Sequence, residues 1–312
     1  MNRPGGEGRM SLKLLTALAA AMLCGLALSS SAQAICRPPG EWTDFRQGDV
    51  SLRARVVGRG PPVLVIPSLG RGPADFDALS AFLVERGHAV VAFEPRWFGA
   101  SSGPADVDLI SLADDASFVL DKLCPGSQAD VIGHAHGNRV ARALASQHSD
   151  QVRSLILLAA GAQRPIPAAI SAAIGDSAAE GRLSDAQRLA SLQTAFFAKG
   201  HDPSAWLTGW SPQAAERQSA ANRRTKDELW QAAGSAPILV VQALEDPVAP
   251  IENAIALKAL APDRVRIVRL AHASHAMLPE QPKAIARVVD AFLTGTMDEA
   301  RLQAVVDQNQ AP

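Results

Sequence analysis

Three short stretches of this chain carry residues whose types could do chemistry together. The first is Gly133-His134-Ala135-His136-Gly137. Two glycines flanking three residues suit a strand that turns sharply into a helix and presents the middle side chain at a strained corner. A serine in the middle would be a nucleophile. Here the middle residue is Ala135, and a methyl group cannot attack a carbonyl. The second stretch centres on Asp246, in Leu244-Glu245-Asp246-Pro247, and the third on His275, in Ala273-Ser274-His275-Ala276-Met277. A carboxylate can hold an imidazole in one tautomer and stabilise its protonated form, so Asp246 and His275 together could make a general base. Glu245 is the rival acid and reads as solvent-facing. His272 is the rival base and reads as a polar residue at a strand end.

Charge developing on a substrate oxygen would need donors. Pro67-Ser68-Leu69-Gly70-Arg71-Gly72 offers backbone N–H groups. Those of Leu69 and His136 are the expected oxyanion pair. Arg71 is read as structural, with an anionic substrate contact as the alternative. Ser68, Phe197 and Trp206 are the expected pocket residues, and for the two aromatics the alternative is packing. The histidines at 134, 136, 272 and 275 have no cysteine or acidic residue at a recognisable ligand spacing. No metal is therefore expected.

The elements that must position these residues alternate. Residues 50–57 alternate apolar and polar like a half-buried strand, and 62–67 is a short apolar run between prolines. Strands are also expected at 88–93, 129–132, 152–159, 237–242 and 265–270. Helices are expected at 75–86, 108–123, 138–147, 252–260 and 280–293, with a peripheral helix in the tail at 296–312. Such alternation argues a mostly parallel sheet with helices on both faces. Residues 161–235 interrupt it with helix-like pieces and Trp206, Trp210 and Trp230. They read as a helical cap over the C-terminal sheet edge, where open α/β sheets bind ligands.

The 312 residues, 47% hydrophobic with a formal net charge of −1, suit one large globular domain. That balance gives no field to draw nucleic acid or anionic lipid. With no tyrosine in the chain, no phenol can serve as acid or donor. Residues 1–34 read as a secretory signal peptide: Arg3, Arg9 and Lys13, then an apolar run at 14–28, then Ala32-Gln33-Ala34 as a cleavage site. The mature domain would be 35–312, exported to the periplasm or outside the cell. No stable membrane association is expected after cleavage. In an oxidising compartment Cys36 and Cys124 are expected to form a disulfide, two separate thiols being the alternative.

Five segments together resemble the α/β-hydrolase superfamily: VLVIPSLGRGPADFDALS, VVAFEPRWFGASSGP, ADVIGHAHGNRVARALA, ILVVQALEDPVAP and LAHASHAMLPEQP. The resemblance spans nearly all of the mature length. It implies an eight-stranded, mostly parallel sheet, a helical cap, and cleavage of ester, amide or carbamate-type bonds without a cofactor. Ala135 departs from the family's serine. Two readings follow: a hydrolase in which His275 and Asp246 activate water, or a non-catalytic pseudoenzyme that binds a small ligand. The sequence leaves the substrate and the oligomeric state open.

Overall fold

The computed structural model describes residues 36–161 and 164–311. The signal-peptide reading of residues 1–34 lies outside them. Eight strands form one sheet: β1 Thr43–Gln47, β2 Val50–Gly58, β3 Pro62–Ile66, β4 Ala89–Phe93, β5 Ala129–His134, β6 Val152–Leu158, β7 Ile238–Ala243 and β8 Val265–Leu270. Their order is β1-β2-β4-β3-β5-β6-β7-β8. β2 runs antiparallel to both β1 and β4, and every pairing from β4 through β8 is parallel.

The helices outside the cap are α1 Asp77–Glu85, α2 Leu109–Leu123, α3 His136–Gln147, α7 Ile251–Leu260, α8 Met277–Glu280, α9 Pro282–Leu293 and α10 Glu299–Asn309. The strand period of two sorts side chains to the two faces. Leu64 and Ile66 of β3 join a core with α2 and α3, whereas Val63 and Val65 join one with α1, α9 and α10. The central strands β3, β4, β5 and β7 are buried at every position. Helices cover both faces of a parallel sheet, so its strands read as continuous apolar runs.

Three local differences from the sequence reading have clear causes. β1 was not expected, because only Phe45 of its five residues is buried and an edge strand leaves no apolar run. Residues 73–76 form a 3-10 turn, so α1 starts at Asp77 rather than 75. The helix expected at 280–293 is split at Gln281, with Pro282 opening α9.

Between β6 and β7 the described residues form helices and turns and no strand: α4 Ala168–Ser177, α5 Asp185–Ala195 and α6 Pro212–Arg224. Ser184 caps α5 reciprocally with Gln187, and the Ser211 side chain accepts from the Ala214 N–H at the start of α6. This helical layer has its own small core of Leu192, Phe196, Phe197 and Trp206. Cys36 and Cys124 are joined by a disulfide that ties the start of the described chain to the end of α2.

Candidate active site

β5 hands over to α3 at Ala135, whose φ of 51° and ψ of −110° are strained for a residue with a side chain. The strain persists because the surroundings determine it. The Ala135 N–H donates to the Leu158 carbonyl at 3.0 Å, and its own carbonyl accepts from the Asn138 N–H at 3.1 Å and from the Asn138 side-chain amide. The flanking glycines are required by close approach. A Cβ on Gly133 would lie 2.7 Å from the Asn138 nitrogen, and one on Gly137 2.6 Å from the Pro67 carbonyl oxygen.

Asp246 follows β7. One carboxylate oxygen accepts the Val248 and Ala249 N–H groups at 2.8 Å each. The other accepts from the His275 ring Nδ1 at 2.9 Å. Because the carboxylate is the acceptor there, the basic atom of the ring is Nε2. His275 follows β8 and is 3% exposed. The Ala276 N–H donates to the Phe196 carbonyl at 2.8 Å. The Glu280 carboxylate gathers the Ser274 and Ala198 N–H groups at 2.7 and 2.6 Å. The His275 loop is thus fastened to the cap on both sides of the ring.

Two more histidines lie close by. His134 is fully buried, and its ring donates from Nε2 to the His275 carbonyl at 2.8 Å. His136 accepts at Nδ1 from the Asn222 amide of α6 at 3.2 Å. Burial, first of all, pushes both rings down to about 3. The neighbouring His275 adds to this for His134 and the Arg139 charge for His136. Both are neutral near pH 7, which leaves His275 as the carboxylate-oriented imidazole.

A cavity of about 380 Å³ opens at the C-terminal edge of the sheet. Ser68, Leu69, Ala135, His136 and His275 all line it, and Asp246 lies behind His275. Leu69 belongs to the loop after β3, and His136 is the first residue of α3, where no intrahelical carbonyl reaches the N–H. Gln218 of α6 accepts the Gly70 N–H at 2.8 Å and so holds that loop under the cap.

The pocket assignment of Phe197 and Trp206 is corrected by the structure: Phe196 and Trp210 form the wall. Phe197 and Trp206 are 5% and 2% exposed and pack inside the cap, with Trp206 edge-on to His134. The cause is Arg71. Its guanidinium lies 4.7 Å from both the Trp206 and Trp210 rings, pairs with Asp75 and donates to the Thr208 carbonyl. Arg71 therefore clamps the β3 loop to the cap. Glu245 and His272 are exposed, and among the described residues no cluster of His, Cys, Asp or Glu could hold a metal ion.

Comparison with known proteins follows the same outline. The family model described as the alpha/beta hydrolase fold matches residues 61–211, and one described as TAP-like protein matches residues 206–303. The chain is an α/β-hydrolase-fold protein. It is 33% identical over 123 residues to 2-hydroxymuconate semialdehyde hydrolase of Pseudomonas sp. (strain CF600), a stretch covering 38% of this chain and 43% of that protein. The chain thus matches less than half the length of that relative. A hydrolase from Pseudomonas aeruginosa PA01 superposes with a TM-score of 0.67 at 23% identity, covering 81% of this chain and 98% of its own. An esterase from Exiguobacterium antarcticum gives 0.69 at 20% identity, covering 82% and 100%.

Within this hydrolase fold the sequence reading missed the cavity's polar rim. Arg139, Arg164, Asn222 and Arg223 all line it. Arg139 was within reach of sequence reasoning, since it lies three residues beyond His136 on α3 and so shares its face. Asn222 and Arg223 come from a cap helix whose position over the sheet is set by tertiary contacts alone.

Proposed function

We propose that this protein hydrolyses a small ester, amide or carbamate-type substrate using water activated by His275 and Asp246, with Ala135 standing where serine-dependent relatives carry a nucleophile. His275 Nε2 takes a proton from a water as its oxygen bonds to the substrate carbonyl carbon. Asp246 stabilises the imidazolium that forms. The N–H groups of Leu69 and His136 face the developing oxyanion. The imidazolium then returns its proton to the leaving alcohol or amine as the tetrahedral intermediate collapses to the acid. No cofactor takes part.

One observation carries this reading. The His275 ring is fixed by a carboxylate that is itself held by two backbone N–H groups, and that ring lines the same cavity as Ala135. The hydrolase and esterase relatives agree with a hydrolytic site. The methyl group of Ala135 favours a second reading, a non-catalytic protein that keeps the cavity to bind a small ligand. A screen of p-nitrophenyl acetate, p-nitrophenyl butyrate and an aryl carbamate on purified protein, beside His275→Ala, separates the two. Turnover that falls in His275→Ala supports hydrolysis. No turnover, or turnover indifferent to His275, supports binding.

We also infer export to the periplasm or the extracellular space, with cleavage after Ala34. The Cys36–Cys124 disulfide fits an oxidising compartment, and among the described residues no helix is long and apolar enough to cross a membrane. The partner is then a small molecule, without nucleic acid and without stable membrane association once the leader is removed. N-terminal sequencing of the exported protein tests the cleavage site.

A further inference from the structure

The cavity's lining has two unlike parts. Ile166, Ile174, Phe196, Trp210 and Val248 make an apolar one. Arg139, Arg164 and Arg223 also line it, and no Asp or Glu is among the described lining residues. Arg164 belongs to the connection from β6 into the cap and Arg223 to the last turn of α6, both exposed. Neither has an ion-pair partner among the described residues. Behind them, Arg142 is buried one turn beyond Arg139 and donates to the Gly161 and Gln231 carbonyls. Asp227 is the acid among the described residues whose field bears on Arg139 and Arg142. Four guanidinium groups against one carboxylate leave the surroundings of the cavity positive.

A positive rim beside an apolar wall suits an amphipathic anion, and guanidinium is the side chain best matched to a carboxylate. We propose that the ligand of this cavity is a carboxylate-bearing small molecule. Its apolar body lies along Phe196 and Trp210, its anionic group at Arg164 and Arg223, and its reacting bond at Ala135 and His275. The inference rests on this cavity being the ligand site of the proposed function, and not on turnover. Neutral esters of the same size would lack the anchoring group. They would bind without the electrostatic preference.

Calorimetric titration of the exported form with 4-phenylbutyrate and with 4-phenylbutyramide tests this, because the two probes differ in charge and hardly in shape. Charge-assisted hydrogen bonds to guanidinium should make the carboxylate bind about tenfold more tightly. The gap should narrow in about 0.5 M NaCl, which screens exposed charge. The Arg164→Gln/Arg223→Gln double variant should close it by weakening the carboxylate far more than the amide. Both substitutions are at exposed positions, and a melting curve checks that the variant is folded. Equal affinity for the two probes, a gap that survives in the double variant, or no binding of 4-phenylbutyrate would overturn the proposal. A protein that binds the carboxylate but turns over no ester keeps this inference and loses the hydrolytic one. Turnover of neutral esters without carboxylate preference does the reverse.

Discussion

Ala135→Ser adds one oxygen to a Cβ that already lines the cavity. The strained backbone there, φ 51° and ψ −110°, is already borne by a residue with a Cβ. The strain of about 1–3 kcal/mol typical of such conformations is therefore common to both proteins and cancels between them. Stability should change by less than about 1 kcal/mol, the range of substitutions that create no cavity, clash or unpaired charge. The catalytic effect should be large. Removing a serine nucleophile from an intact triad lowers kcat by about 10⁶-fold, to a residual of about 10³–10⁴ over water. A serine restored without its accustomed neighbours should recover part of that. We expect at least about 10²-fold in kcat/KM toward p-nitrophenyl butyrate, equivalent to roughly 2.7 kcal/mol of transition-state stabilisation. Stopped-flow absorbance should show a burst of p-nitrophenolate stoichiometric with enzyme, the mark of an acyl-enzyme. A fluorophosphonate probe should label the variant and spare the natural protein. A folded Ala135→Ser protein with neither burst nor labelling would falsify the assignment of His275, Asp246 and the Leu69 and His136 donors as one assembled site.

Three further outcomes test the frame around the site. Gly137→Ala puts a Cβ against the Ile66 and Pro67 carbonyl oxygens. Both are backbone atoms, so urea unfolding should show a loss at the upper end of overpacking, about 3 kcal/mol. The disulfide closes a separation of 88 residues, so reduction should cost roughly 4–5 kcal/mol by the chain-entropy relation, seen as a lowered melting temperature with dithiothreitol. His134 and His136 are both pushed down to about 3, so the unfolded chain takes up protons first. Their contribution is complete above about pH 6.5 and is lost as pH falls toward 3, about 2 kcal/mol per ring between pH 7 and 5. Burial pushes Asp115 up to about 6, which works in the opposite sense and offsets about 1 kcal/mol over the same interval. Urea midpoints at pH 7 and pH 5 should therefore diverge in the natural protein and diverge less in His136→Asn.

The central sheet was legible because burial on both faces leaves little choice of residue: PVLVI at β3 and AVVAF at β4 admit no polar side chain. The turn at Ala135 was legible for a steric reason, since at Gly133 and Gly137, on either side of it, any Cβ would meet neighbouring backbone. What escaped depends on the cap. Its helices carry weak amphipathic patterns, and where they settle is decided by contacts distant in sequence, such as Arg71 between Trp206 and Trp210 or Gln218 on the Gly70 N–H. Adjacent aromatics such as Phe196 and Phe197 cannot be sorted into wall and core without that placement. Asn222 and Arg223 become site residues only because α6 lies over His136.

Asp246 has two duties, and this changes how its presence is weighed. It orients His275, but it also accepts the backbone N–H groups of Val248 and Ala249, the second of them buried. A protein that merely bound ligands would still need it to hold the loop after β7. The weight therefore falls on the pairing of Asp246 with His275 rather than on Asp246 alone. Asp246→Asn separates the duties. Its side-chain carbonyl can still accept the Val248 and Ala249 N–H groups, so the melting temperature should hold. Its NH₂ group, however, faces a ring nitrogen that was donating, and the imidazole must rotate or take the other tautomer. In an Ala135→Ser background, a wrong tautomer should lower kcat by about 10⁴-fold with little change in KM. If Asp246→Asn unfolds the loop, by lost protection of the Val248 and Ala249 amides in hydrogen exchange, the carboxylate's first duty is structural. If the loop holds and turnover is unchanged, His275 needs no oriented tautomer and the general-base mechanism is wrong.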